Sequence, residues 1–205
     1  MNHHLPASLV LTVCLALPAA RAADAPSLCA TPEQAKAVTE LYAQSPAPPP
    51  FMAAAKLGVP ETIVLSALPA EKAVGTTGAG FLPIWESLRN WDESLTLVLK
   101  AGQVFEIYGR IPGGEPSKVS QNYNLKQDGP GLGGHLRPDL IGAIYAVTMQ
   151  GREGPMRGVT FLDALGNSAF HVFLPEGRKP TEKQIAQFES TRALIAGMPR
   201  ACTAR

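Results

Sequence analysis

The sequence has no excess of charge of either sign. Its 18 lysines and arginines balance 17 aspartates and glutamates, for a formal net charge of +1. A chain so close to neutrality has no basic field to attract nucleic acid or anionic lipid. After residue 22, no apolar run reaches the length needed to cross a bilayer. We therefore expect neither a nucleic-acid partner nor a membrane span beyond that point.

The sequence also lacks the short motifs of common enzyme classes. It contains no Cys-x-x-Cys, His-Glu-x-x-His or Gly-x-Ser-x-Gly pattern. Residues 129–134 match the letters of the dinucleotide fingerprint G-x-G-x-x-G. That fingerprint needs a helix directly after it, and Pro138 would remove a backbone donor from the first turns of such a helix. We predict a glycine loop there and no enzymatic activity.

The first residues have the pattern of a secretory signal. The apolar run Leu9–Leu17 ends at Pro18, and Ala20 and Ala22 place small residues where a signal peptidase reads them. We predict cleavage after Ala22, loss of Arg21 with the leader, and a periplasmic location. The alternative is an uncleaved membrane anchor.

Cysteines are scarce. Cys14 leaves with the predicted leader, so that Cys29 and Cys202 remain, one near each end of the mature chain. Chain ends often lie close together, and an oxidising compartment would let the two thiols pair. We predict a disulfide between Cys29 and Cys202, the alternative being two unrelated thiols on the tails.

The hydrophobic period changes along the chain from helical spacing to alternation. Helices are predicted at 31–43, 52–68 with a break at 58–60, 81–91 and 181–195. Strands are predicted at 95–100, 105–108, 119–126, 140–149, 158–163 and 168–174. Strands joined as hairpins predict an α+β fold, an antiparallel sheet with an N-terminal α-hairpin and a C-terminal helix. The predicted divisions are leader 1–22, helix and proline-rich connector 23–50, main domain 51–198 and tail 199–205.

Two histidines remain in the predicted mature chain, and they differ in setting. His135 lies in a glycine-rich loop with Arg137 close by, and His171 lies in the middle of a predicted strand. Taken alone, a loop histidine is more often bonded to a neighbouring carbonyl, and a strand histidine more often meets packing or solvent. A strand tyrosine such as Tyr123 is usually a packing residue.

Nine short stretches add information that composition does not. From about residue 57 to 195, the sequence resembles the bacterial haem-utilisation cytosolic carrier proteins. The stretches that carry the resemblance occur in family order: 57–59 with 67–69, 81–91, 104–106 with 109–112, 123–125, 134–136, 141–145, 159–163, 166–173 and 182–188. The resemblance implies an antiparallel α+β homodimer that binds one haem per chain and passes it to a haem-degrading partner.

The resemblance also suggests haem-binding residues. The family's Gly-His-Leu stretch falls on residues 134–136, which makes His135 the expected iron ligand, with Tyr123 as second candidate. Arg137 is expected near the haem propionates, since basic side chains pair with carboxylates. The usual late-strand lysine of the family is His171 here, which makes His171 an alternative ligand. The family's Arg-Pro-Phe-Met-Gly-Arg-Glu-Ser segment is replaced at 149–156.

We therefore expect an exported haem carrier or haem buffer that takes part in haem utilisation and iron acquisition. Its partners would be haem, a second copy of the chain, and a haem-uptake or haem-degrading protein. One alternative is an interaction module that kept the fold and lost haem. Another is a haem-degrading enzyme, which would need an electron donor and an open distal side.

Overall fold

The computed structural model describes residues 28–127, 129–151, 154–177 and 179–202. The predicted leader, its cleavage site and its apolar run lie outside the described residues. Within those ranges, no helix is both long enough and apolar enough to cross a membrane.

Two of the helices begin at the capping signals that the sequence contains. The side chain of Thr31 accepts from the backbone of Gln34, whose side chain accepts in return, and Thr181 and Gln184 repeat this arrangement. Each box satisfies backbone donors that the first turn leaves unpaired. The helices of the described residues are α1 Pro32–Tyr42, α2 Pro50–Leu57, α3 Glu61–Ala67, α4 Phe81–Leu88 and α5 Glu182–Ala196.

The strands form two antiparallel sheets. They are β1 Ala73–Thr77, β2 Ser94–Lys100, β3 Gln103–Gly109, β4 Gly113–Pro116, β5 Tyr123–Lys126, β6 His135–Leu136, β7 Ile141–Gln150, β8 Pro155–Asp163 and β9 Ser168–Phe173. The large sheet has the order β1-β7-β8-β9-β2-β3, and the small sheet has the order β4-β5-β6. The predicted α+β class with an antiparallel sheet is confirmed.

Helices cover both faces of the large sheet. On one face, the ring of Phe161 stacks on Phe170 at 4.5 Å, and Trp85 of α4 contacts both. Phe188 of α5 belongs to the same buried cluster. On the other face, α1, α2 and α3 pack over a second set of buried side chains that includes Phe173. Because side chains alternate along a strand, neighbouring residues of β9 belong to different cores.

Several predicted boundaries were wrong. Residues 73–77 form β1, which was not among the predicted strands. A Cβ at Gly75 would collide with the ring of Tyr145 on β7, so the glycine is required by close packing inside a strand. The strand expected at 119–126 begins only at Tyr123, and Val119 is 95% exposed. The helix expected at 81–91 ends at Leu88, and β4 and β6 were not predicted.

The two edges of the large sheet differ. Along β1, Thr76 forms a bridge with Arg200 and donates its hydroxyl to the carbonyl of Pro199 at 2.7 Å. The segment that covers this edge ends at Cys202, whose sulfur bonds to that of Cys29 with the Cα atoms 5.5 Å apart. That distance lies within the range of a disulfide. At the opposite edge, β3 is open in the described structure, with Val104, Phe105 and Tyr108 about half exposed or more.

Candidate functional site

The small sheet presents one buried face and one exposed face. Tyr123 of β5 lies opposite Leu136 of β6, and both join the buried cluster around α4. Asn124 lies opposite His135 on the outer face. Gly134, immediately before this short strand, has a φ of +121°, a conformation that side chains rarely adopt. This glycine turns the chain so that His135 can pair with Asn124.

The His135 ring is oriented by Asn124. Its Nδ1 lies 2.8 Å from the side-chain oxygen of Asn124. That amide oxygen can only accept, so Nδ1 carries the hydrogen in this pair and Nε2 is left unprotonated in the neutral ring. Nε2 has no hydrogen-bond partner among the described residues, and the residue is exposed. Its Nε2 is therefore available to coordinate a metal.

Arg137 lies just after His135, but its guanidinium is already engaged. Nε and Nη2 donate to the two carboxylate oxygens of Asp139 at 2.8 and 2.6 Å, and Nη2 also donates to Gln121 at 2.7 Å. The hydrogen bond to Asp139 is the main reason that the pKa of Arg137 is raised. Binding a propionate here would have to replace a bidentate internal ion pair.

Tyr123 points into the protein. Its ring meets Phe81 edge-on at 6.0 Å, and its hydroxyl donates to Glu86 at 3.4 Å. Burial, and then the charge of Glu86, raise the pKa of the Tyr123 hydroxyl. Iron ligation by a tyrosine uses the phenolate, which this environment disfavours.

His171 is buried on the far side of the large sheet. It is 1% exposed, and its ring nitrogens lie 3.0 Å from the Thr160 hydroxyl and 2.8 Å from the Ser168 hydroxyl. Burial lowers the pKa of His171 to about 4, so the ring is neutral at neutral pH. Both nitrogens are occupied and no face of the ring is open to a planar ligand.

The sequence candidates therefore do not form one cluster. His135 and Arg137 follow each other at the small sheet, and Tyr123 lies on the adjacent strand with its side chain on the opposite face. His171 is separated from Tyr123 by the large sheet, because Phe170 contacts Trp85 on the α4 side while His171 contacts Phe51 of α2.

A cleft beside the small sheet was not predicted from the sequence. It has a volume of about 320 Å³ and is lined by Arg89, Arg110, Ile111, Pro112, Gly113, Lys126, Gln127, Gly129, Pro130 and Leu132. A neighbouring cleft of about 690 Å³ shares Arg89 and Arg110 and is bordered by Glu86, the acceptor for Tyr123. The three cations of the first cleft, Arg89, Arg110 and Lys126, come from separate parts of the chain, so no local sequence pattern unites them. Among the described residues, no three His, Cys, Asp or Glu side chains group as a bare metal site.

Comparisons with known proteins agree with this architecture. The family model described as haem utilisation ChuX/HutX matches residues 75–191. An intracellular heme transport protein of Vibrio cholerae, HutX, is 33% identical over 75% of this chain and 79% of its own length. A crystallised protein of Agrobacterium tumefaciens is 28% identical with a TM-score of 0.69, over 80% of this chain and 92% of that one. ChuX is 20% identical with a TM-score of 0.68, over 78% and 97%.

These matches define an α+β protein of haem utilisation. The chain belongs to the ChuX/HutX family, which confirms the resemblance found in the sequence. HutX is described as a transport protein and ChuX as a heme-binding protein. The prediction that the chain is not an enzyme is confirmed by this family membership.

The predicted periplasmic location was wrong. HutX, which aligns with three quarters of this chain, is described as intracellular. The prediction rested only on the local pattern of the first 22 residues, whereas the similarity to HutX extends over three quarters of the chain.

Proposed function

We propose that the chain is a haem carrier that holds the iron of its cargo through Nε2 of His135. The single observation that carries this proposal is the orientation of the ring of the exposed residue His135, with Nδ1 bonded to Asn124 and Nε2 without a partner in the described structure. A second group that fixes the tautomer and ring plane is the usual companion of a histidine that binds a metal. Membership in a haem-utilisation family supports haem as the cargo.

The other sequence candidates have smaller roles in this proposal. Tyr123 would become a ligand only if its hydroxyl lost its proton and moved away from Glu86. His171 would have to leave two hydrogen bonds and a buried position, so we assign it to the core. An exposed single histidine suits a carrier, because cargo held by one ligand at an open site can be passed on.

We also propose that two copies of the chain associate through the open edge of the large sheet. The β3 strand has unpaired backbone groups on one side, and Val104, Phe105 and Tyr108 are exposed along it. An apolar edge strand favours pairing with another strand. A second copy presents the same strand, and antiparallel pairing about a two-fold axis would continue the sheet.

An interaction module that lost haem is the second candidate. The strand neighbours of His135 on the outer face are polar, namely Asn124 and, opposite Asn124 on β4, Glu115. A hemin titration decides between the two candidates, because only a carrier gives a saturable Soret shift at one hemin per chain.

The test of the ligand compares the wild-type protein with His135→Ala and Tyr123→Phe. We expect His135→Ala to shift or abolish the Soret band while its far-ultraviolet dichroism stays that of the wild type. Tyr123→Phe should keep both. An unchanged spectrum and affinity in His135→Ala would remove this residue from the site, and absence of hemin binding by the wild type would leave the interaction module.

A further inference from the structure

The cleft lined by Arg89, Arg110 and Lys126, called here the basic cleft, combines positive charge with an apolar wall. Arg89 follows α4, Arg110 follows β3, and Lys126 ends β5. The apolar side chains around them are Ile111, Pro112, Pro130 and Leu132. An amphipathic anion is the class of ligand that suits such a lining, with carboxylates on the cations and apolar surface on the remainder.

The walls of the basic cleft are held in place by buried contacts. The indole nitrogen of Trp85 donates to the carbonyl of Pro112 at 3.0 Å, which ties this wall to α4. A Cβ at position 113 would lie 3.0 Å from the guanidinium carbon of Arg89. Gly113 therefore leaves the space that the guanidinium of Arg89 occupies. A site built in this way needs little rearrangement to bind a ligand.

The charges of the basic cleft are only partly neutralised. Arg89 forms an ion pair with Glu86, and Lys126 forms one with Glu115 at 2.7 Å. Arg110 has neither an ion pair nor a hydrogen bond within the described part of the chain. The pKa of Asp92 is lowered mainly by its hydrogen bond with Lys183. The charge of Arg110 makes a smaller contribution to this lowering from longer range. The cleft thus keeps the charge of Arg110 for a ligand.

The basic cleft adjoins the candidate iron ligand. Lys126 lies two residues beyond Asn124 on the same outer face of β5, about 7 Å along the strand. Asn124 pairs with His135, and the loop 129–132 that forms one wall leads directly into β6. A planar ligand coordinated by His135 can therefore extend over Lys126 with its edge in the cleft.

We infer that the basic cleft binds the propionate carboxylates of haem, with Arg110 as the principal partner. This inference rests on the proposed function. It moves the propionate contact from Arg137, the residue that the sequence indicated, to residues that only the folded chain brings together. Arg137 already donates from Nε and Nη2 to Asp139 and Gln121.

The test compares hemin with hemin dimethyl ester, which keeps the porphyrin and iron and lacks the two carboxylates. Both are titrated into the wild type, Arg110→Gln, Arg110→Lys and the matched control Arg137→Gln. We expect Arg110→Gln to weaken hemin binding about five-fold, as for an exposed charge pair, and to leave the ester unchanged. Arg110→Lys should restore part of the loss, and Arg137→Gln should bind hemin like the wild type. Added salt should reduce the difference.

The outcomes separate this inference from the proposed function. If Arg110→Gln weakened hemin and ester equally, or left both unchanged, the propionate assignment would be overturned while haem binding stood. A selective loss of hemin in Arg137→Gln would return the contact to Arg137. If the wild type bound neither ligand, the proposed function would fail and this inference with it.

Discussion

Glu61, at the start of α3, carries a buried carboxyl group that should make stability depend on pH. Its side chain is 4% exposed, and its Oε2 atom has no hydrogen-bond partner in the described structure. Burial raises the pKa of Glu61 from 4.5 to about 8. The nearby hydroxyl of Tyr42 also lacks a partner, and burial and the charge of Glu61 raise the pKa of Tyr42. Both groups are therefore uncharged near neutral pH.

The sign follows from which state binds the proton. Below pH 4.5, Glu61 is protonated in the folded and the unfolded chain, and it has no effect on the pH dependence. Between pH 4.5 and 8, the folded chain keeps a proton that the unfolded chain releases, so the free energy of unfolding falls as the pH rises. Each unit of pKa difference is worth about 1.4 kcal/mol, which gives a loss of about 3.5 kcal/mol between pH 5 and pH 8.

Glu61→Gln removes this titration and keeps the shape of the side chain. In urea unfolding at pH 5, 6, 7 and 8, the free energy of unfolding of the variant should increase steadily relative to that of the wild type, by about 3.5 kcal/mol from pH 5 to pH 8. Glu40→Gln is the control for replacing a carboxylate by an amide, since Glu40 lies on the exposed side of α1. A constant difference between Glu61→Gln and wild type would refute the reasoning.

Three further predictions concern the core, the chain ends and the open edge. The free energy of unfolding should fall by about 3 kcal/mol as the pH falls from 6.5 to 4, because the unfolded chain binds a proton at His171 that the buried ring does not. In urea unfolding at pH 4 to 7, His171→Asn should show less of this fall. Cys29→Ser should reduce the free energy of unfolding by up to about 5 kcal/mol, given a sequence separation of 173, and a reductant should abolish the difference from wild type. Phe105→Glu on β3 should halve the mass found by light scattering, whereas Val119→Glu, at a site 95% exposed, should not; a wild-type monomer would contradict the proposed edge.

Much of the secondary structure follows from local chemistry. The capping boxes at Thr31 and Thr181 mark two helix starts within the sequence itself, and the alternation of side chains marks β2 and β3. β1 was missed because a glycine such as Gly75 indicates a loop when the sequence is considered locally. In the structure a glycine is required there because the ring of Tyr145 on another strand leaves no room for a side chain. β6 was missed because a strand of two residues has no period to detect.

The sequence by itself determined the α+β class, the family and the candidate ligand, because these depend on periodicity and on short motifs that are contiguous in the chain. Only the tertiary structure decided how the candidates are placed. His171 joined the core because its strand neighbours put it on the α2 side of the large sheet, and Arg137 was engaged by Asp139. The basic cleft arose because folding brings Arg89, Arg110 and Lys126 together from three elements. Such a site has no signature in sequence order, since the distances that define it are set by packing between elements and not by spacing along the chain.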